Sequence, residues 1–220
     1  MSRHSDFNEY VDRYDQWYER NRLAYLSEVS ALKHLMPKKG LGLEIGVGTG
    51  RFASVLDTHF GIDLAERGLK IAKTRGIIVS LATGEFLPFK DESFDYVLMV
   101  ITLSFFKNSK RALTEVYRII NHKGRFIIGF VDKNSFLGKL YKERKAKDHP
   151  FFREVKDFFS PQDIINLLTE CRFKNFEIYQ TIFKLPENIQ VIQDAIEGHG
   201  KGGFVVIGAN KSNINIHKEI

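Results

Sequence analysis

The stretch LGLEIGVGTGRFA, residues 41–53, decides the fold. A short apolar run leads into three alternating glycines, Gly46, Gly48 and Gly50, and a short helical segment follows. This pattern predicts a strand, a tight turn and a helix, in which glycines let the backbone approach a ligand and the helix N-terminus offers free N–H groups. One carboxylate, Glu44, lies just before the first glycine.

Glu44 discriminates between two kinds of ligand. A dinucleotide fingerprint of the form GxGxxG would need a glycine at position 51, where this chain has Arg51. Beside a pyrophosphate, the Glu44 carboxylate would be repelled by about 4 kcal/mol at close range and intermediate dielectric. A ligand with an ammonium and a sulfonium but no phosphate would be attracted instead, and S-adenosylmethionine is such a ligand. Glu44 is also compatible with a local role, as the cap of a backbone group.

A second acid, Asp63, ends the next predicted strand. In doubly wound folds an acid at this place hydrogen-bonds the ribose hydroxyls of a nucleoside. NAD and S-adenosylmethionine share that ribose, so Asp63 predicts a nucleoside without choosing between them. It also suits the cap of the following helix, and both roles can hold together.

Strands and helices alternate beyond the glycine turn, and the run FDYVLMVI is typical of a parallel strand buried on both faces. The segment 7–36 is predicted to be helical up to Pro37, and a helix is predicted over 110–124. Ser160 and Asp163 predict a capping box. Two closing strands, FKNFEIYQ and GGFVVIGAN, predict an antiparallel pair at one edge. We therefore expect an α/β, doubly wound, Rossmann-like and mostly parallel sheet with a helical cap at the N-terminus.

Composition narrows the class of protein. The chain has 220 residues, 43% hydrophobic and 27% charged, with a net charge of +6, which fits a soluble globular domain. Its one cysteine, Cys171, excludes an internal disulfide and favours the cytoplasm, and its scattered histidines predict no metal site. The N-terminus lacks the apolar core of a signal peptide, and no apolar run of about 18 residues predicts a membrane span.

Four ordered segments carry a resemblance to a known family: LGLEIGVGTGRFA, GIDLAERGLKIAKTRG, ATGEFLPFKDESFDYVLMV and RALTEVYRIINHKGRFIIGF. They resemble the successive motifs of class I S-adenosylmethionine-dependent methyltransferases, in the small-molecule group related to the ubiquinone and menaquinone methyltransferases. The resemblance implies a methyltransferase domain over 39–211, a cap or lid over 1–38 and a substrate-side insertion over 132–160. It implies methyl transfer from S-adenosylmethionine to a small-molecule acceptor, an amine or a hydroxyl.

The resemblance also implies roles for single residues. The three glycines of the turn would line the methionine part of the cofactor, and Glu44 would hold its amino group, directly or through water. Asp63 would bind the ribose hydroxyls, and Leu64 would pack on the adenine.

The chain departs from the family pattern at two places. Thr83 stands where the family often has an acid that meets the adenine amino group. That contact would come instead from the Thr83 hydroxyl or from the backbone near Glu85 and Phe86. The stretch TLSFF, residues 102–106, lacks the histidine pair that many relatives carry, so no histidine base is expected there.

The acceptor side is less specific in sequence. Tyr14, Trp17 and Tyr18 share a helix face, which predicts either an anchor to the domain or a lid over the acceptor. The basic segment 139–147 favours a solvated helix face, and it lacks the glycines and aromatics of a nucleic-acid module.

Two other functions remain open at this stage. One is an NAD(P)-dependent oxidoreductase, which Glu44 and Arg51 disfavour, and the other is a non-catalytic S-adenosylmethionine-binding module. No catalytic residue is assigned, since transfer from a sulfonium needs mainly alignment and exclusion of water.

Overall fold

The computed structural model describes residues 4–212, and eight strands of this part form one sheet in the order β3-β2-β1-β4-β5-β8-β6-β7. The strands are β1 (Gly42–Ile45), β2 (Phe60–Asp63), β3 (Ile78–Leu81), β4 (Phe94–Val100), β5 (Ile120–Val131), β6 (Phe173–Thr181), β7 (Ile196–Glu197) and β8 (Phe204–Lys211). The helices are α1 (His4–Arg20), α2 (Arg22–Lys33), α3 (Arg51–Val55), α4 (Glu66–Thr74), α5 (Ser109–Ile119), α6 (Phe136–Ala146), α7 (Pro150–Arg153) and α8 (Pro161–Glu170).

The first five strands of the chain pair in parallel, with β1 between β2 and β4. Beyond β5 the sheet turns antiparallel: β8 pairs with β5, β6 with β8, and the two-residue β7 with β6. The doubly wound fold with an antiparallel edge is therefore confirmed, and β7 is an addition to the predicted edge pair.

Alternation along β4 sends side chains to two cores, one on each face of the sheet. Val97 and Met99 belong to the core under α5 and α8, while Leu98 and Val100 belong to the core under the N-terminal helices. The second core includes buried side chains from three helices: Tyr18 of α1, Leu32 of α2 and Phe52 of α3. Part of α1 is thus built into the fold.

Local structure differs from the sequence-based prediction at two places. The helix predicted over 110–124 ends at Ile119, because the buried Ile120 is extended and pairs with Phe94 of β4. The predicted N-terminal helix is divided at Asn21, whose side-chain amide donates to the Trp17 carbonyl at 3.0 Å. The capping box of α8 is confirmed, with Ser160 and Asp163 bonded reciprocally.

Among the helices of residues 4–212, none is both long and apolar enough to cross a membrane.

Candidate active site

The glycine turn after β1 leaves its backbone open to a ligand. Gly46 has φ of 76°, and a Cβ there would lie 2.2 Å from Thr102 Oγ1, so only glycine fits. Gly48 has φ of 52°, and a Cβ there would meet open space. The Gly46 and Val47 amides both donate to the Ile62 carbonyl, at 2.8 and 2.9 Å, which fixes the turn against β2.

Asp63 closes the turn from the end of β2. One carboxylate oxygen accepts from the Gly48 amide and the other from the Ala65 amide, each at 2.8 Å. Burial raises the pKa of Asp63 more than these backbone hydrogen bonds lower it. Each oxygen keeps a further lone pair, so the carboxylate can accept from a ligand as well. Asp63 is not the cap of α4, because that helix begins after Ala65 and has no side-chain cap. The carboxylate instead holds the Gly48 and Ala65 amides, and a ribose role is compatible with these contacts.

A cavity of about 160 Å³ lies at the carboxyl ends of β1, β2 and β4. The strand order reverses between β1 and β4, and ligands of open α/β sheets bind at such a switch point. The predicted residues that line this cavity are Gly46, Gly48, Asp63, Leu64, Thr83 and Tyr14. We call it the cofactor cavity.

Glu44 lies under the turn, with only 1% of its surface exposed. The Ala53 amide donates to its carboxylate, but the Oε2 atom is buried and has no hydrogen-bond partner. Burial raises its pKa well above the usual range. Glu44 itself does not line the cofactor cavity, although its neighbours Ile45 and Gly46 do. A buried oxygen without a hydrogen-bond partner costs free energy. A cationic ligand would supply the missing partner, which agrees with the contact predicted between Glu44 and the ammonium of the cofactor.

Three other predicted residues lie outside the lining of the cofactor cavity. Gly50 precedes α3, and a Cβ there would approach Ala72 of α4. The Glu85 carboxylate accepts from the Asn108 amide before α5, and Phe86 is exposed under the Arg111 guanidinium. Their predicted contacts with the cofactor stay predictions.

Helix α1 roofs the cofactor cavity with Tyr10, Val11 and Tyr14. Trp17 and Tyr18 do not line it; they line a second cavity of about 360 Å³ beside it. The tyrosine, tryptophan and phenylalanine side chains around the second cavity are Tyr10, Tyr14, Trp17, Tyr18, Tyr141, Phe151 and Phe152. Four residues line both cavities, which therefore adjoin: Tyr10, Tyr14, Ile101 and Phe151.

Asp15 of α1 ties this roof to the glycine turn. Its carboxylate accepts from Thr49 Oγ1 at 2.5 Å, from Arg51 Nε at 2.8 Å and from Arg75 Nη1 at 3.1 Å. Burial raises the pKa of Asp15, but hydrogen bonds from the two arginines and Thr49 outweigh it and hold the pKa well below its usual range. Arg51 also pairs with Glu19. Arg51, which breaks the dinucleotide fingerprint, thus holds the roof in place.

Sequence reasoning missed two features of the site. Asp15 was not singled out, since its partners are distant in the chain. Glu28 was not singled out either, although it is an acid next to Val29 and two residues after Leu26 in a mainly apolar helix. It is 3% exposed and lines the second cavity.

Within the residues described, no group of three or more histidine, cysteine, aspartate or glutamate side chains is placed to hold a metal ion. The basic segment 139–147 lies mainly in α6, where Lys139, Lys142 and Lys147 are exposed and Arg144 lines the second cavity.

Comparison with known proteins agrees with this geometry. Residues 43–128 match a family model described as a methyltransferase domain. The uncharacterized protein MJ1123 of Methanocaldococcus jannaschii is 45% identical over 205 residues, 93% of this chain and 98% of that protein. Demethylmenaquinone methyltransferase of Tropheryma whipplei is 28% identical over 158 residues, 60% of this chain and 66% of that enzyme.

A crystal structure from Thermotoga maritima is similar over nearly its whole length. It is described as an S-adenosylmethionine-dependent methyltransferase and possible histamine N-methyltransferase. It is 44% identical, with a TM-score of 0.91 over 94% of this chain and 99% of that one. The chain therefore belongs to the S-adenosylmethionine-dependent methyltransferases, and S-adenosylmethionine is its cofactor.

Proposed function

We propose that this methyltransferase acts on a small-molecule acceptor, an amine or a hydroxyl compound, held in the second cavity under α1. The observation that carries the proposal is the pair of adjoining cavities, which share Tyr10, Tyr14, Ile101 and Phe151. In this proposal the cofactor occupies the cofactor cavity, so the second cavity is free to hold the acceptor. The described relative from Thermotoga maritima supports an amine rather than a hydroxyl.

In this proposal the chain positions the reactants and keeps them dry. When bound, S-adenosylmethionine supplies a methyl group made electrophilic by its sulfonium. Glu44 holds the cofactor's ammonium, Asp63 binds its ribose hydroxyls, and Leu64 and Thr83 flank its adenine. The cap segment 1–38 serves as the lid, and Tyr14 lies at the junction of the two cavities. Enclosing the cofactor and the acceptor under α1 excludes water and holds the acceptor in position to attack the methyl group.

The test is methyl transfer from labelled S-adenosylmethionine to a library of small amines, alcohols and thiols, with products identified by mass spectrometry. Transfer to a small amine or alcohol is the expected result. Transfer only to RNA or protein would contradict the proposal.

The Glu44→Gln variant should be more stable than wild type at pH 8 but should bind S-adenosylmethionine more weakly. The folded protein binds the Glu44 proton more tightly than the unfolded chain, so the associated stability is present at acid pH and is lost as the pH rises through the raised pKa. Glutamine does not ionise, so the variant does not lose stability as the pH rises. At pH 8 and without ligand, it should therefore melt at a higher temperature than wild type. Its affinity for S-adenosylmethionine should fall by roughly 1–3 kcal/mol, the worth of a charge-assisted hydrogen bond.

Thermal melts and calorimetric titration measure the two effects of Glu44→Gln. Unchanged affinity would remove Glu44 from the cofactor site. The charge, and not the shape, is tested, because glutamine keeps the size of the side chain and can still accept from Ala53.

A further inference from the structure

The second cavity combines features that suit a cation. Its wall is rich in aromatic rings that pack on one another: Tyr14 stacks on Phe151 with centroids 5.3 Å apart, and Tyr141 lies 4.5 Å from Phe152. Aromatic faces carry negative charge density and attract ammonium groups.

Glu28 adds a buried carboxyl group to that wall. It is 3% exposed, and its Oε2 atom is buried without a hydrogen-bond partner. Among the described residues no ion pair engages it. Burial raises the pKa of Glu28 to about 8. A buried carboxylate without a partner costs free energy, and a cationic ligand would supply the missing partner.

The charged groups around the cavity do not already supply that partner. Arg13, Arg20 and His149 line the cavity with exposed side chains. Arg144 is half-buried, and its guanidinium lies 5.9 Å from the ring centres of both Tyr141 and Phe152. Burial, and in addition the Glu28 charge, raises the pKa values of three tyrosines of the cavity wall, Tyr14, Tyr18 and Tyr141, which therefore stay neutral at neutral pH.

We propose that Glu28 and the aromatic wall bind a protonated amine of the methyl acceptor, so that the substrates of this enzyme are small cationic amines with an apolar body. This rests on the proposed function, in which the second cavity holds the acceptor. The ammonium lies at Glu28, and the apolar body extends along the rings toward Tyr14 and Phe151, where the cavity adjoins that of the cofactor. The atom that accepts the methyl group is a separate neutral nitrogen or hydroxyl at that far end, which has a free lone pair and releases its proton to solvent. The three arginines make an acidic compound the competing class of ligand.

The experiment is calorimetry on the full chain saturated with S-adenosylhomocysteine, which prevents turnover. The probes are two primary amines, 2-phenylethylamine and n-hexylamine, their alcohols 2-phenylethanol and n-hexanol, and the acid 3-phenylpropionate. We expect at least one amine to bind tenfold or more tightly than its alcohol. Glu28→Gln should abolish this preference and leave affinity for S-adenosylhomocysteine unchanged. The matched control is Glu143→Gln, an exposed acid of α6 that does not line the cavity.

Proton release gives a second readout. With a pKa of about 8, Glu28 carries a proton in about nine-tenths of the empty protein at pH 7. An amine that arrives already protonated should displace that proton to the buffer. Titrations in buffers of different ionisation heat should therefore show release approaching one proton in wild type and none in Glu28→Gln.

The outcomes separate this inference from the proposed function. Equal binding of amine and alcohol, tightest binding of 3-phenylpropionate, binding of no amine, or an amine preference that survives in Glu28→Gln would each overturn the inference. Methylation of neutral acceptors with no amine binding would leave the proposed function standing and overturn the inference alone. Absence of methyl transfer to any small molecule would count against the proposed function itself.

Discussion

An Asp15→Ala variant should keep its fold and lose roughly a hundredfold in methyl transfer, the cost of a misplacement of about 1 Å at a reacting centre. Asp15 anchors α1 to the glycine turn through Thr49, Arg51 and Arg75, and Tyr14 of the same helix lies where the two cavities adjoin. Without the anchor the roof opens more often and water reaches the methyl group. Single-turnover kinetics should show the loss in the rate constant of methyl transfer, and amide exchange should quicken in α1.

The matched control is Asp12→Ala on the same helix. Asp12 pairs with Arg67, and both side chains are about half exposed, at 49% and 54%. Exposed ion pairs contribute little, about 0–1 kcal/mol, so this variant should transfer methyl groups at nearly the wild-type rate. If Asp12→Ala and Asp15→Ala lose activity equally, general fraying of α1 explains the loss. If Asp15→Ala keeps full activity, the roof is only packing and the acceptor lies elsewhere.

The framework of this protein could be predicted because its signals are local. The run FDYVLMVI, the glycine turn and the Ser160 capping box each specify structure within about ten residues of chain. Their order then fixes a doubly wound topology, since parallel strands need helical crossovers. The error in α5 has the same origin: periodicity continues through Ile120, but pairing with Phe94 is a contact that periodicity does not contain.

The site was predictable only in part, because its charges act across long distances in the chain. Gly46, Gly48 and Asp63 stand in a recognisable turn and could be named. Asp15 and Arg51 could not be paired, since 36 positions separate them. In the sequence, Glu28 cannot be distinguished from an ordinary exposed acid on a helix. Only the fold shows that its side chain is buried and lies in a cavity lined by aromatic rings. The free-energy cost of this buried carboxylate, whose Oε2 atom has no hydrogen-bond partner, is therefore visible only in three dimensions.

Asp63→Ala should weaken binding of S-adenosylmethionine and S-adenosylhomocysteine by the same factor. Two hydrogen bonds from ribose hydroxyls to a charged acceptor are worth about 3 kcal/mol together, so the loss should be roughly a hundredfold. Both ligands carry the same ribose and differ at the sulfur. Calorimetry with each ligand measures the two factors, and a large effect on only one of them would mean that Asp63 senses the sulfonium charge.

Asp63 also shapes the turn through Gly48 and Ala65, so the ribose contact needs a separate test. A 2′-deoxy analogue of S-adenosylhomocysteine removes one hydroxyl from the ligand instead of the acceptor from the protein. In wild type this analogue should bind about tenfold more weakly, the worth of one such hydrogen bond. In Asp63→Ala the analogue and the parent should bind alike, because the partner of the hydroxyl is gone. If the analogue is still discriminated against, Asp63 acts only by holding the glycine turn, and another group reads the ribose.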